Sequence, residues 1–235
     1  MADKIVILTG AGISAESGLG TFRDTGGLWA QYPIEQVATP EGFAKDPALV
    51  HAFYNMRRAE AHKATPNAAH NALARLSKEH AGEVVLITQK VDGLHEKAGS
   101  TAIHMHGALA GALCHQCEHR WEAPLVMEPA DGCPSCGQAA TRPDIVWFGE
   151  IPYHMEKIGD HLLEADLFVA IGTSGQVYPA AAYAQHCARL GAHTVELNLE
   201  PSVNQRDFVE TRYGPATQIV PVFRSTNTAG SPTPS

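Results

Sequence analysis

Residues Lys4–Ala15 read KIVILTGAGISA. An apolar, β-branched run leads directly into a glycine-rich turn. Lys4–Thr9 shows no polar alternation, so the run predicts a strand buried on both faces. Gly10, Gly12 and Ala15 then fit G-x-G-x-x-A, the turn that follows the first strand of a nucleotide-binding α/β domain. Glycines there let the main chain approach a diphosphate, and the next helix is expected to offer free N–H groups and its positive dipole end. One part of the ordinary dinucleotide pattern is missing. No acidic residue ends a second strand about twenty positions later, and Asp24 is too close. An ordinary dehydrogenase is therefore disfavoured.

Similar runs recur along the chain. Glu83–Thr88, Asp144–Phe148, Asp166–Ile171, His193–Leu199 and Gln218–Phe223 all read as strands. Thr65–Glu79 opens with Thr-Pro and reads as a helix, as does the alanine-rich Tyr178–Leu190, which stops before Gly191. The alternation predicts an α/β fold, a parallel sheet with helices on both sides. Two stretches break it, Gly18–Arg58 and Gly107–Arg142, and both read as insertions forming a smaller lobe.

The second insertion holds Cys114, Cys117, Cys133 and Cys136: C-x2-C, fifteen residues, C-x2-C. Two facing pairs of this kind give tetrahedral S4 coordination of one zinc ion. Four thiolates leave no open position, so this zinc is structural. Cys187 lies in the alanine-rich helix and reads as a small core residue.

Composition sets the outer bounds. The 235 residues suit one large domain with an insert, and a net charge of −8 argues against general affinity for nucleic acid or anionic membrane. The opening MADKIVILTGAG does not read as a secretory signal, and no apolar run is long enough to span a membrane. Paired thiols and this absence point to a cytoplasmic protein. The sequence sets no oligomeric state; a monomer is compatible with it. The Ser/Thr/Pro/Gly-rich end reads as a disordered tail, 224–235.

Taken together, GAGISAESGLGTFRD (Gly10–Asp24), TQKVDGLHEKAG (Thr88–Gly99), His106-Gly107, the four cysteines, RPDIVWFGE (Arg142–Glu150), GTS (Gly172–Ser174) and NLE (Asn198–Glu200) resemble the sirtuin family in order and spacing. The resemblance covers roughly residues 3–223 and implies a bacterial NAD-dependent protein-lysine deacylase. It implies a large Rossmann-type, NAD-binding lobe with a parallel sheet (1–24, 61–106 and 143–223) and a small lobe, part helical and part zinc ribbon (25–60 and 107–142). NAD and an acyl-lysine peptide or protein would meet in the cleft between them. The resemblance places Gly10, Ala11, Gly12, Ile13, Thr21, Phe22 and Arg23 near the diphosphate and its ribose. Gln89, Lys90 and Asp92 fall at the nicotinamide ribose. Gly172, Thr173, Ser174, Asn198, Leu199, Glu200 and Ala216 fall at the adenosine half. Val146 to Gly149 would pair with the substrate backbone as an added strand, with Val146, Phe148 and Gly149 as its contacts.

His106 is the candidate general base, taking a proton from a ribose hydroxyl; a pKa near neutrality suits that work. The implied products are free lysine, nicotinamide and 2′-O-acyl-ADP-ribose. His104, two residues earlier, faces the other way if the segment is a strand, and is given no catalytic role.

Two further features concern specificity and rate. Tyr54 and Arg57 are three apart on a predicted helix, and resemble the pair in sirtuins that remove succinyl and malonyl groups as well as acetyl. An arginine fork and a phenol can bind a distal carboxylate. Lys90 stands where the family pattern has asparagine. A protonated lysine cannot accept a hydrogen bond and would oppose positive charge developing on the ribose, so lowered activity with the fold retained is expected. Mono-ADP-ribosyl transfer and a weakly catalytic module that binds NAD or acyl-lysine remain as alternatives.

Overall fold

The computed structural model describes residues 2–20 and 32–228. Among them nine strands follow in order: β1 (Lys4–Thr9), β2 (Glu83–Thr88), β3 (Ala102–His104), β4 (Gly107–Cys114), β5 (Arg120–Glu122), β6 (Thr141–Ile145), β7 (Leu167–Ile171), β8 (His193–Asn198) and β9 (Glu210–Tyr213). Six form a parallel sheet in the order β3-β2-β1-β7-β8-β9, and the other three form a small antiparallel sheet, β5-β4-β6.

The period of the central strands explains why they are apolar throughout. Ile5 and Ile7 of β1, with Val169 and Ile171 of β7, enter one core together with Leu73, Leu76, Val220 and Phe223. The alternate residues Val6, Leu8, Phe168 and Ala170 enter the opposite core, with Ile158, Leu162, Ala184 and Cys187. Successive side chains on a strand point to opposite faces, so a sheet covered on both sides needs both sets apolar. The helices Ala68–Glu79 and Ala216–Thr228 cover one face; Met155–Leu163 and Tyr183–Arg189 cover the other. Cys187 is buried in that second core, where burial pushes its thiol up to about 12, as suits a packing residue.

Several expectations are corrected. Gln218–Phe223 is not a strand but part of the helix Ala216–Thr228. Ala216, Ile219, Val220 and Phe223 recur at helical spacing against the sheet, and that packing overrides the β-branched composition. The strand position at that edge goes to β9, whose sequence ETRY carries no apolar run. Residues 224–228, read as disordered tail, continue this helix; 229–235 lie outside the described residues. Asp144–Phe148 gives way to Thr141–Ile145, which pairs antiparallel with β4. Residues 143–145, assigned by sequence to the larger lobe, thus continue the small sheet.

The helix expected from Thr65 starts at Ala68. Asn67 caps it, accepting from the Ala69 and His70 amides at 2.9 and 3.4 Å, while His70 Nδ1 accepts the Asn67 N–H at 3.3 Å. A cap followed by proline does occur elsewhere, at Thr39-Pro40 and Asp46-Pro47. The alanine-rich segment forms a short 3-10 turn, Ala180–Ala182, and then the helix Tyr183–Arg189. Gly191 just beyond it has φ +94°, the left-handed conformation expected of a helix-ending glycine.

Candidate functional site

The strand order dictates where a ligand can enter. From β1 the chain moves outward to β2 and β3 on one side, then returns to β7 and moves outward to β8 and β9 on the other. The carboxyl ends of β1 and β7 are therefore a topological switch point, where open α/β sheets bind ligands.

Three glycines meet there. A Cβ on Gly10 would lie 2.6 Å from the Gly172 carbonyl oxygen, and one on Gly12 would lie 2.7 Å from Gly172 Cα. Gly172 itself has φ +63°. The turn after β1 is thus seated directly on the turn after β7, and its glycines serve this close approach of main chain as well as any ligand. The expected helix is a single turn, Gly12–Ala15. The Gly10 and Gly12 amides donate to Ile171 and Gly172 at 2.9 Å, and those of Ile13 and Ser14 turn back on Gly10 and Ala11. The free N–H groups expected from a following helix are therefore largely committed within the protein.

The residues that the resemblance assigns to the adenosine half lie toward the same end. Asn198 Nδ2 donates to the Thr173 carbonyl at 2.7 Å, tying the end of β8 to the β7 turn. A shallow cleft is lined by Gln89, Thr173, Ser174, Val177, Asn204 and Phe208. Leu199 is exposed, Glu200 follows it at the surface, and Ala216 begins the last helix. Glu16, which sequence reasoning passed over, receives the Thr217 N–H at 2.9 Å and the Thr217 hydroxyl at 2.6 Å, joining that helix to the turn region after β1. Thr21, Phe22 and Arg23 lie outside the described residues.

His106 sits between β3 and β4, half-buried. Its Nδ1 lies 3.2 Å from the Gln89 carbonyl oxygen. A carbonyl can only accept, so Nδ1 carries the proton and the Nε2 lone pair is left to act as a base. Burial holds the ring's pKa below 6.5, against the pull of that carbonyl, so the imidazole is neutral at physiological pH. Gly107 must be glycine: it has φ +75°, and a Cβ there would collide with the Asp144 carbonyl. His104 has other work, bridging the Lys90 carbonyl and Glu96 Oε1 at 3.0 Å each.

Lys90 and Asp92 are buried together after β2, with Lys90 Nζ 3.4 Å from Asp92 Oδ2. Burial pulls the lysine's pKa below its ordinary value while Asp92 pulls it upward. Burial also opposes charge on Asp92, but the Lys90 ammonium and the Leu94 N–H outweigh it and hold the carboxyl below its usual range.

The helix Pro47–Lys63 brings Tyr54 and Arg57 onto one face. The Arg57 guanidinium carbon lies 5.8 Å from the centre of the Tyr54 ring and 5.7 Å from that of Phe53. Tyr54 is buried, and its hydroxyl oxygen accepts the Trp147 indole N–H at 3.0 Å. Trp147 is buried too, and the Arg142 guanidinium stacks on its ring, 3.5 Å from the centre. Arg142 also forks the Glu150 carboxylate at 2.7 and 2.9 Å, while Glu150 Oε2 takes the Trp147 amide at 2.8 Å. Arg142 and Glu150 were given no role from sequence, and Trp147 only a place in the segment expected to pair with substrate. Opposite charges bracketing the apolar stretch in RPDIVWFGE were the available signal.

Val146 to Gly149, the segment expected to pair with substrate, form this bracketed loop. The Val146 and Phe148 amides are turned inward, donating to the His106 and Ala38 carbonyls at 3.0 and 2.9 Å. An added strand would therefore have to use the carbonyl side of this segment, a correction to the simple picture of a free edge. Gly149 has φ +92°, and a Cβ there would meet nothing.

The four cysteines converge as expected. Their sulfurs all lie within 4.8 Å of one another, with Cys114–Cys136 and Cys117–Cys133 at 3.7 Å. Four sulfurs about 2.3 Å from a central zinc are about 3.8 Å apart, so the cluster fits a tetrahedral ion without rearrangement. The Ser135 N–H donates to Cys133 Sγ at 3.4 Å, the kind of outer contact that orients a thiolate ligand.

Known proteins share this arrangement. Residues 10–179 match the Sir2 family model. The chain is 54% identical to an NAD-dependent protein deacylase of Caulobacter vibrioides, over 94% of each chain. It is 51% identical to one of Escherichia coli K12, over 94% of this chain and 80% of the relative. A solved Sir2 homologue in complex with NAD superposes with a TM-score of 0.88 at 34% identity, covering 97% of this chain and 91% of the other. A Sir2 protein bound to acetylated peptide gives 0.82 at 26% identity, covering 97% and 95%. The chain belongs to the Sir2 family.

Proposed function

We propose that this protein removes acyl groups from protein lysines at the expense of NAD, acting on acyl-lysine proteins or peptides in the cytoplasm. The observation that carries the reading is His106, held in the base-competent tautomer by the Gln89 carbonyl beside the switch point of the sheet. NAD would supply an electrophilic ribose carbon with nicotinamide as leaving group. Gly10, Ala11, Gly12 and Ile13, with the turn at Gly172–Ser174, would hold its diphosphate and adenosine portions, joined by Asn198, Leu199, Glu200 and Ala216. Thr21, Phe22 and Arg23 belong to the same proposal. Gln89 and Asp92 would line the ribose. His106 Nε2 would then take a proton from a ribose hydroxyl. Val146, Phe148 and Gly149 would line the peptide, and the lobes are proposed with the boundaries read from sequence, except that 143–145 join the small lobe. Among the described residues no helix is long and apolar enough to cross a membrane. Incubation with acetyl- and succinyl-lysine peptides, with and without NAD, tests the reading by mass spectrometry. NAD-dependent appearance of free lysine and acyl-ADP-ribose supports it; labelled ADP-ribose on protein instead would favour transfer, and neither product would overturn it.

For the acyl group, Tyr54 and Arg57 support dicarboxylic chains alongside acetyl. Arg57→Met should lower desuccinylation by roughly 10- to 100-fold, the worth of a charge-assisted hydrogen bond, and deacetylation far less. Equal losses would remove this preference from the proposal.

Lys90 bears on rate. Its ion pair with Asp92 occupies the pocket proposed for the nicotinamide ribose, and any cationic fraction opposes charge developing there. Lys90→Asn should raise turnover by about tenfold, a barrier change near 1.4 kcal/mol. An unchanged rate would show that the lysine is tolerated.

A further inference from the structure

We infer that Trp147 is a specificity-positioning residue: its indole N–H occupies the acceptor side of the Tyr54 hydroxyl and so makes the acyl pocket a donor-only site that selects acyl chains ending in a carboxylate. The inference deepens the acyl preference proposed above and rests on that reading.

A phenol oxygen can accept hydrogen bonds and carries one proton to donate. Here the only hydrogen bond to the Tyr54 hydroxyl among the described residues comes from Trp147, at 3.0 Å. Both rings are buried, at 1% and 2% exposure, so water does not readily substitute for either partner. The hydroxyl proton is therefore directed away from Trp147. Arg57, on the same helical face, adds a guanidinium with donors and no acceptor. The nearby acceptor, Asp92, is engaged by Lys90 and the Leu94 amide. A chain ending in a methyl group leaves the Tyr54 proton without a partner, whereas a terminal carboxylate accepts from both Tyr54 and Arg57. Leaving a buried donor unmatched is the stronger basis for discrimination, because it penalises the wrong ligand as well as favouring the right one.

The surroundings hold Trp147 to this task. The Arg142 guanidinium covers its ring at 3.5 Å, and Glu150 ties the Trp147 amide and Arg142 together. The indole can neither swing out nor flip without breaking that cluster. Its orientation is set independently of whether substrate is present.

The test compares equilibrium binding of fluorescent succinyl-lysine and acetyl-lysine peptides of identical sequence, which does not depend on turnover. Trp147 is replaced by Phe and, to keep the bicyclic shape, by β-(3-benzothienyl)alanine, which lacks the N–H. The succinyl-to-acetyl affinity ratio should fall about fivefold in both, as expected for one lost neutral hydrogen bond. In a Tyr54→Phe background the same replacements should shift the ratio by less than about twofold, because no hydroxyl remains to orient. An unchanged ratio in the benzothienyl variant, with Arg57→Met still lowering it, overturns the role of Trp147 and leaves the acyl reading intact. An unchanged ratio in Arg57→Met overturns the acyl pairing, and with it the role of Trp147 that rests on it. No preference for succinyl peptide in the unmodified protein overturns both.

Discussion

The parallel sheet and the cysteine-bearing half of the small sheet solve the same problem with different means. The parallel sheet has a continuous apolar core on each face, fed by alternate residues of β1 and β7. Each large side chain buried there contributes about 1.5–3 kcal/mol. The cysteine end has a buried cluster of Cys114, Cys133 and Ala140, with Trp121 packed alongside. Beyond the metal ligands that is too little apolar area to hold a fold. The other end of the same small sheet is different again: Leu109 and Ile145 join Val50, Phe53, Tyr54 and Trp147 in a core shared with the helix Pro47–Lys63. Hydrophobic burial thus carries the molecule up to the middle of β4, and beyond that point a zinc ion has to.

The largest effect should come from removing that ion. Cys133→Ser should abolish zinc binding, measured by metal analysis, and reduce deacylation by at least about a hundredfold. Far-UV circular dichroism should keep most of its helical signal, because the parallel sheet and its helices do not depend on the metal. The loss reaches the cleft through specific contacts. Asn55 clasps the Met127 peptide with bonds of 2.8 and 2.9 Å, and Arg58 donates to the Leu109 carbonyl at 2.7 Å. Both come from the helix that carries Tyr54 and Arg57. A zinc-free protein that still deacylates at full rate would show that the two ends of the small sheet are uncoupled.

The converse substitution attacks the other side of the comparison. Phe168 is buried in the middle of the parallel sheet at 1% exposure. Phe168→Ala should cost about 3–5 kcal/mol of stability in denaturant unfolding, through lost burial and the cavity left behind. Zinc stoichiometry of the folded protein should stay at one per chain. Loss of metal together with that destabilisation would mean that the two regions unfold as one cooperative unit.

The two regions also differ in how they could be read from sequence. Strands buried on both faces announce themselves as unbroken apolar runs, so β1, β2, β7 and β8 were legible. The cysteine spacing was legible because tetrahedral coordination admits few patterns. Strands β4 and β9 were missed: GALAGALC and ETRY owe their pairing to neighbours and turns, not to their own composition. Gln218–Phe223 was misread because local β-propensity cannot see the sheet face that helical spacing serves. In the site, His106 was legible, but its tautomer depends on the Gln89 carbonyl, seventeen residues away. Trp147 was legible as part of the substrate-pairing segment, but its tie to Tyr54 was not, since that partner is 93 residues away in the chain.

The smallest effect concerns protons, and its largest share should fall on the parallel-sheet side. His70 and His95 are buried with rings 5.0 Å apart, and His95 Nε2 lies 2.9 Å from the Thr9 hydroxyl at the end of β1. Burial holds both imidazoles down at about 4, against 6.5 for an ordinary histidine. The unfolded chain therefore binds more protons between those values, and stability falls as pH drops below 6.5, continuing down to about 4. At pH 5.5 each histidine accounts for a loss of about 1.4 kcal/mol relative to neutral pH. His95→Asn should flatten this acid limb by that amount in denaturant titrations at pH 7.5 and 5.5, whatever it does to stability at neutral pH. Zinc should remain bound in both proteins at pH 5.5. If the variant keeps the full acid dependence and metal is released over the same range, the acid sensitivity belongs to the thiolates, and the cysteine-bearing end is the weaker half in this respect as well.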